Sequence, residues 1–127
     1  MDFPKDKKYT KEHEWISEIK GNKASIGVTS YAVEQLGDIV HVELPSVGET
    51  FASGASFGTI ESTKTVSDLY MPVAGKVVAV NDHVVKSPES LQEDPYQKGW
   101  LVQVEVTTPG ADLMTAEAYA KFIEHSH

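Results

Sequence analysis

Lys64 lies in a short polar segment between two apolar runs that are typical of strands. Residues 61–81 read ESTKTVSDLYMPVAGKVVAVN, with a Pro-x-x-Gly turn from Pro72 to Gly75. This pattern predicts that Lys64 is at the tip of a tight hairpin. Most turn lysines are simply solvated. A lysine at such a tip is nevertheless open to a modifying enzyme, and an acylated lysine is a long, neutral tether.

Other residue types that could do chemistry form no recognisable site. The five histidines, His13, His41, His83, His125 and His127, show no metal-ligand spacing, and there is no cysteine. The segment GASFGT (54–59) lacks the lysine and the following helix of a phosphate-binding loop. We therefore expect no metal site, no cysteine nucleophile and no nucleotide site.

The elements that must position Lys64 are short strands separated by glycine and proline turns. Strands are predicted at 13–19, 24–28, 39–44, 57–62, 67–71, 75–80 and 100–106. The alternation places Trp15, Ser17 and Ile19 on one face of the first strand, and Val40, Val42 and Leu44 on one face of the third. Asn81-Asp82 is interpreted as the turn of a second hairpin.

Three helices are predicted between and after these strands. The first covers residues 29–37, with Thr29 or Ser30 as its cap and Gly37 at its end. A single turn follows Ser87. The third covers about 115–124, with Thr115 as its cap. The whole pattern favours one mostly β domain, residues 1–127, folded as an antiparallel sandwich or flattened barrel.

Composition limits the partners and the compartment. The chain has 127 residues, is 40% hydrophobic and carries a formal charge of −8. Such an acidic surface argues against nucleic acid and anionic membranes and favours partners with basic docking surfaces. Residues 1–9 have no apolar stretch typical of a signal peptide. We expect a cytoplasmic protein in a bacterium, or a mitochondrial matrix protein in a eukaryote.

Five segments, in order, resemble the H-proteins of the glycine cleavage system. They are YTKEHEW (9–15), IGVTSYAVEQLGDIVHVELPSVG (26–48), FGTIESTKTVSDLYMPVAGKVVAVN (57–81), DPYQKGWLVQVEV (94–106) and AEAYAKFIE (116–124). Glu-Ser-x-Lys is the form of the motif in that family. Biotin carriers usually flank their lysine with methionine, and acyltransferase lipoyl domains usually place aspartate before it. Thr65 departs from the family, in which alanine commonly follows the lysine.

The resemblance implies a hammerhead-type flattened β-barrel or sandwich of the biotinyl/lipoyl-carrier kind, with lipoic acid covalently attached to Lys64. It implies no catalysis by the chain itself. The implied partners are glycine decarboxylase, which forms the aminomethyl group, the aminomethyltransferase that accepts it, dihydrolipoamide dehydrogenase and lipoate-attaching enzymes. A carrier that visits three enzymes is expected to be a monomer.

The resemblance also implies a cleft that shelters the loaded arm. Glu14 and Asp68 match the arm-binding positions of the family. Glu12, two residues before Glu14, would share its side of a strand, and Gln35 is a further position that could line the cleft. A lysine with an octanoyl chain reaches on the order of 12–14 Å by ordinary bond lengths.

Two other carrier functions and one different class remain open at this point. The chain could be an H-like protein that relays lipoyl groups to other 2-oxoacid dehydrogenase complexes, or it could be a biotin carrier. The different class is a scaffold domain in which Lys64 is never modified. Lipoic acid on Lys64 would separate this scaffold from both lipoyl carriers, and the absence of methionines beside Lys64 argues against the biotin carrier.

Overall fold

A computed structural model describes residues 3–108 and 113–124, so His125 and His127 lie outside the described residues. Within those ranges the chain forms nine strands and four helices. The strands are β1 (Lys7–Tyr9), β2 (Glu14–Ser17), β3 (Lys23–Val28), β4 (Ile39–Glu43), β5 (Thr50–Phe51), β6 (Ser56–Ser62), β7 (Val66–Tyr70), β8 (Ala74–Val80) and β9 (Val102–Thr108). The helices are α1 (Ser30–Leu36), α2 (Asp82–Lys86), α3 (Ser90–Glu93) and α4 (Ala116–Glu124).

The strands form two antiparallel sheets. The larger has the order β1-β2-β3-β9-β8-β5, and the smaller has the order β4-β6-β7. Neither sheet closes on itself, so the fold is a flattened sandwich rather than a barrel. The mostly β sandwich with a C-terminal helix, predicted from the sequence, is confirmed.

The apolar core has two parts, and β2 contributes to both. Ile16 packs into the main core between the sheets, together with residues such as Ile26, Ile60 and Val104. Trp15 packs into a second cluster under α4. Both Trp15 and Ile16 are 1% exposed, whereas Ile19 is 38% exposed and lies beyond the strand. The shared face predicted for Trp15, Ser17 and Ile19 therefore holds for Trp15 and Ser17 but not for Ile19, because β2 ends at Ser17.

Strand β4 departs from the alternation that its sequence suggests. Its register shifts between Ile39 and His41, where it pairs with β6. The irregularity buries Ile39 and Val42 but leaves Val40 51% exposed. The prediction that Val40 and Val42 share a face is wrong, because one extra residue changes which side chains point inward.

The second predicted hairpin, at Asn81-Asp82, is also wrong. Asn81 instead caps α2, and its side-chain oxygen accepts the backbone N–H of His83 at 3.2 Å. The side-chain amide of Asn81 donates to the backbone carbonyl of Trp100 at 2.7 Å. These bonds satisfy a buried polar side chain and start a helix where the sequence suggested a turn.

The other predicted helices are present. Thr29 caps α1 by accepting the N–H of Ala32 at 3.2 Å, and Gly37 follows the helix with a φ of 80°. Thr115 caps α4 by accepting the N–H of Ala118 at 3.1 Å. The single turn after Ser87 begins at Ser90. None of the helices in the described ranges combines the length and the apolarity needed to cross a bilayer.

Candidate functional site

Lys64 lies at the tip of the hairpin formed by β6 and β7, as the sequence predicts. Glu61 pairs with Val66 across the last rung, and the backbone N–H of Ser62 donates to the carbonyl of Thr65 at 2.8 Å. Lys64 itself is exposed. The hairpin therefore presents one amine at one end of the smaller sheet.

Hydrogen bonds fix the backbone of this tip. The hydroxyl oxygen of Ser62, a residue only 5% exposed, accepts the backbone N–H groups of Lys64 and Thr65, each at 3.2 Å. The N–H of Thr63 donates to the carbonyl of Asp38 at 3.0 Å, which ties the tip to the segment after α1. Lys64 thus has a constrained backbone and an exposed side chain.

The side chain of Lys64 passes over Gly37. Its Cε lies 3.4 Å from the position that a Cβ on Gly37 would occupy. The positive φ of Gly37 favours glycine at this position. Among the described residues, the Lys64 ammonium takes part in no ion pair. Acylation would remove the positive charge of Lys64 without breaking an ion pair with any carboxylate of the described residues. The tip therefore fits a covalently attached acyl group.

A second feature is a cavity of about 250 Å³ at the other end of β7. Its walls come from the turn before β2, the loop after β5 and the end of β7. The residues that line it are Thr10, Lys11, Glu12, Glu14, Ser53, Gly54, Tyr70, Met71, Pro72 and Leu113. Glu14 and Ile16 share one face of β2, so Glu14 lies at the margin of the inter-sheet core. This position explains why a carboxyl group is only 1% exposed.

Both carboxyl oxygens of Glu14 are hydrogen-bonded. The hydroxyl of Thr10 donates to Oε1 at 2.8 Å, and the backbone N–H of Tyr70 donates to Oε2 at 3.2 Å. Burial nevertheless dominates and raises the pKa of Glu14 to about 8, the two hydrogen bonds opposing the shift and the nearby charge of Glu12 adding to it. At neutral pH, this raised pKa favours the neutral acid form of Glu14.

Asp68 and Glu12 lie at the approach to Glu14 and are both exposed. The phenol of Tyr70 is 3.4 Å from Oδ2 of Asp68. The charge of Asp68 contributes most to raising the pKa of this phenol, and Glu12 and Glu14 also raise it. The structure therefore brings the three predicted acids together around Tyr70.

The sequence predicted that Glu12 shares the strand side of Glu14, and this reason for placing it in the cleft is wrong. The structure nevertheless places Glu12 beside Glu14. Glu12 precedes β2, and His13 between the two acids has a φ of 70°, so no strand alternation connects them. Gln35 is exposed on α1 and is not part of the cavity wall.

The sequence did not identify Thr10 or Tyr70. Tyr70 follows Asp68 by two residues on a strand, which places both on one face and was the available signal. The hydrogen bond from the backbone of Tyr70 to Glu14 joins residues that are 56 positions apart in the sequence, and no local pattern predicts such a contact.

The chain is similar to proteins of one family over nearly its whole length. The sequence model of the family described as glycine cleavage H-protein matches residues 7–126. The glycine cleavage system H protein of Carboxydothermus hydrogenoformans is 50% identical over 95% of this chain and 94% of its own. That of a Synechococcus strain is 52% identical over 99% and 98%. The crystal structure of a glycine cleavage system H protein from Mycobacterium marinum superposes with a TM-score of 0.92 at 46% identity, covering 96% of this chain and 99% of the other.

Proposed function

This chain belongs to the glycine cleavage H-protein family, and on that basis we propose that it is a lipoyl-bearing shuttle. Lipoic acid is attached through an amide to Nζ of Lys64. The shuttle carries the aminomethyl group from glycine decarboxylase to the aminomethyltransferase, and presents the dihydrolipoyl arm to dihydrolipoamide dehydrogenase. The observation that carries the proposal is the exposed Lys64 on a hairpin tip that Ser62 and Asp38 hold in place.

The tip suits a tether for two physical reasons. Attachment to one chain gives each enzyme a high effective concentration of the arm. Amide formation also removes the positive charge of Lys64, so the arm can enter an apolar channel without desolvating an ammonium. When bound, lipoate supplies a disulfide that can be reduced and can carry a group on sulfur. This chain's residues supply binding and shelter, and the proposal assigns them no catalytic step.

The Glu14 cavity is the proposed shelter for the aminomethyl end of the arm. Asp68 lies four residues after Lys64, at most about 14 Å even for a fully extended chain, which is comparable to the reach of the arm. Glu14 lies beyond Asp68, next to Tyr70. Asp68 and Glu12 would attract a basic nitrogen towards the cavity. Glu14 would then transfer its proton to this nitrogen and form an ion pair with the resulting ammonium, while Thr10 and Tyr70 hold the carboxylate oxygens.

The proposed partners are the three enzymes of the cycle and a lipoate-attaching enzyme. The formal charge of −8 supports docking to basic surfaces on these partners. We further propose that the shuttle is a monomer, because it must expose the same tip to several enzymes in turn.

The first experiment is to co-express the chain with a lipoate ligase, supply lipoate, and measure the intact mass and a peptide map. We expect one lipoyl group, on the peptide that contains Lys64. Lys64→Arg should carry no lipoyl group, whereas Lys76→Arg, which changes another exposed strand lysine, should be modified like the unsubstituted chain.

An unmodified Lys64, with the ligase active on a control domain, would contradict the proposal and favour an unmodified scaffold. Thr63 and Thr65 would then be the first positions to substitute. If Lys64 is modified, glycine–bicarbonate exchange with glycine decarboxylase separates the glycine role from that of a lipoyl relay. A relay would support lipoyl transfer to another 2-oxoacid dehydrogenase complex but not this exchange.

A further inference from the structure

Tyr119 on α4 is buried in an aromatic cluster. It is 0% exposed and stacks on Tyr9 with ring centroids 4.9 Å apart and an interplanar angle of 10°. The ring of Phe3 meets it edge-on at 4.8 Å. Packing of this kind fixes the ring and therefore the position of its hydroxyl group.

The hydroxyl of Tyr119 joins two other segments of the chain. It lies 2.8 Å from Oγ1 of Thr29 and 2.8 Å from Nδ1 of His13. Oγ1 of Thr29 also accepts the N–H of Ala32 at the start of α1. Burial lowers the pKa of His13 and so favours the neutral ring. One arrangement satisfies all these groups: Thr29 donates to Tyr119, and Tyr119 donates to Nδ1 of His13.

His13 has an unusual backbone conformation. Within residues 3–108 and 113–124, it is the one non-glycine residue with a positive φ, at 70°. This conformation is unfavourable for a residue with a Cβ, so surrounding contacts must maintain it. Its N–H donates to the carbonyl of Thr10 at 3.1 Å, and its carbonyl accepts the N–H of Thr29 at 3.0 Å.

The turn at His13 determines where Glu14 points. The backbone N–H of Glu14 donates to Oγ1 of Thr10 at 3.1 Å, and the N–H of Thr10 donates to the carbonyl of Glu14 at 3.0 Å. Thr10 also holds Oε1 of Glu14. A change of φ at His13 would rotate the chain at the residue before Glu14 and disturb this closed turn.

We propose that Tyr119 is a positioning residue for the Glu14 cavity: its hydroxyl holds His13 in the left-handed conformation that directs the Glu14 carboxyl group to the N–H of Tyr70. The C-terminal helix thereby sets the geometry of the site that receives the arm. The importance of this role for arm binding rests on the proposed function, but the positioning itself is a property of the unmodified chain.

The test is Tyr119→Phe, measured on the chain without any lipoyl group. This substitution keeps the stacked ring and removes one oxygen. Tyr9→Phe is the matched control, because it removes the hydroxyl of the stacked partner, which donates to the carbonyl of Pro4 instead. The readout is the titration of the Glu14 side-chain carboxyl carbon, followed by NMR.

We expect Tyr9→Phe to leave this titration near that of the unsubstituted chain, where the pKa is about 8. Tyr119→Phe should lower the pKa of Glu14 by on the order of one unit, because a turned or more exposed carboxyl group is better solvated. The charged groups near Glu14, which are Lys11, Glu12 and Asp68, are the same in both variants.

A rescue variant separates positioning from general loosening of the fold. Glycine adopts a positive φ without the penalty that a Cβ imposes. His13→Gly should therefore make the Glu14 titration insensitive to Tyr119→Phe. An unchanged Glu14 titration in Tyr119→Phe would overturn the proposal, as would an equal shift in Tyr9→Phe or an undiminished shift in the His13→Gly background. Because no lipoyl group is involved, failure here is distinct from failure of the proposed function.

Discussion

The two ends of β7 differ in how the chain builds them. At the Lys64 end, a hairpin closes on itself, and its main hydrogen bonds join residues two or three positions apart. At the Glu14 end, the cavity joins the turn before β2, the loop after β5 and the last residue of β7. The Lys64 end exposes an amine to solvent, and the Glu14 end buries a carboxyl group.

This difference has a consequence for the stability of each end. An exposed turn lysine contributes little to the free energy of unfolding, so Lys64 can be substituted without loss of the fold. A buried carboxyl group changes both stability and chemistry, because its ionisation depends on the same burial that shapes the cavity. A substitution at the Lys64 end should therefore change function without changing stability. A substitution at the Glu14 end should change both.

The largest expected effect is that of Lys64→Ala. We expect complete loss of support for glycine–bicarbonate exchange, because no other residue at the tip can carry the arm. The free energy of unfolding should change by no more than about 0.5 kcal/mol. Activity assays with the partner enzymes and thermal melts measure the two quantities. A large drop in melting temperature would show that Lys64 supports the fold and would remove the contrast between the two ends.

The second effect is the dependence of stability on pH, tested with Glu14→Gln. Burial raises the pKa of Glu14 in the folded chain to about 8 from the ordinary 4.5. Between these values the folded state keeps a proton that the unfolded state has lost, so stability is lost as pH rises. The loss is at most about 1.4 kcal/mol per pH unit, is complete above the folded pKa and is absent below the unfolded one.

Relative to Glu14→Gln, the unsubstituted chain should therefore lose stability between pH 5 and pH 8, a window set by the two pKa values. Denaturant melts of both chains at each pH measure this difference. The contribution of His13 is common to both chains and has the opposite sign, because burial lowers its pKa. Parallel pH profiles would mean that the Glu14 carboxyl group is solvated and that the cavity does not exclude water.

The same variant tests the proposed shelter. Glu14→Gln should still be lipoylated, because the tip is unchanged. The aminomethyl group should, however, be released faster from the loaded chain. The glutamine side chain cannot form an ion pair with the loaded end. Mass spectrometry of the loaded chain over time follows the release, and an unchanged rate would remove Glu14 from the arm-binding site.

The sequence predicted the tip well because the relevant signals are local. Apolar runs on both sides of Lys64 and the following turn indicate a hairpin from neighbouring residues alone. The burial of Glu14 was not predictable in this way, since it depends on Tyr70 from a distant strand. Family resemblance, rather than pattern, identified Glu14.

The errors in the fold predicted from the sequence have similar causes. The irregular register in β4 exposes Val40, and the cap at Asn81 depends on the backbone carbonyl of Trp100, 19 residues away. The argument for Glu12 assumed a continuous strand, and the positive φ of His13 interrupts it. In each case a distant contact or a single backbone angle overrides the alternation of polar and apolar residues.

The smallest expected effect is that of Asp68→Asn, at a residue between the two ends of β7. Removal of this charge should lower the pKa of the Tyr70 phenol, because Asp68 contributes most to raising it. We expect this downward shift to be small, since both groups are solvated. The ring-carbon resonance of Tyr70, followed by NMR, measures it, and Glu61→Gln on the neighbouring strand is the control. If the two variants shift Tyr70 equally, Asp68 has no special place beside the cavity. If only Asp68→Asn shifts the pKa of Tyr70, the path from the tip to the cavity contains a charge that faces the site.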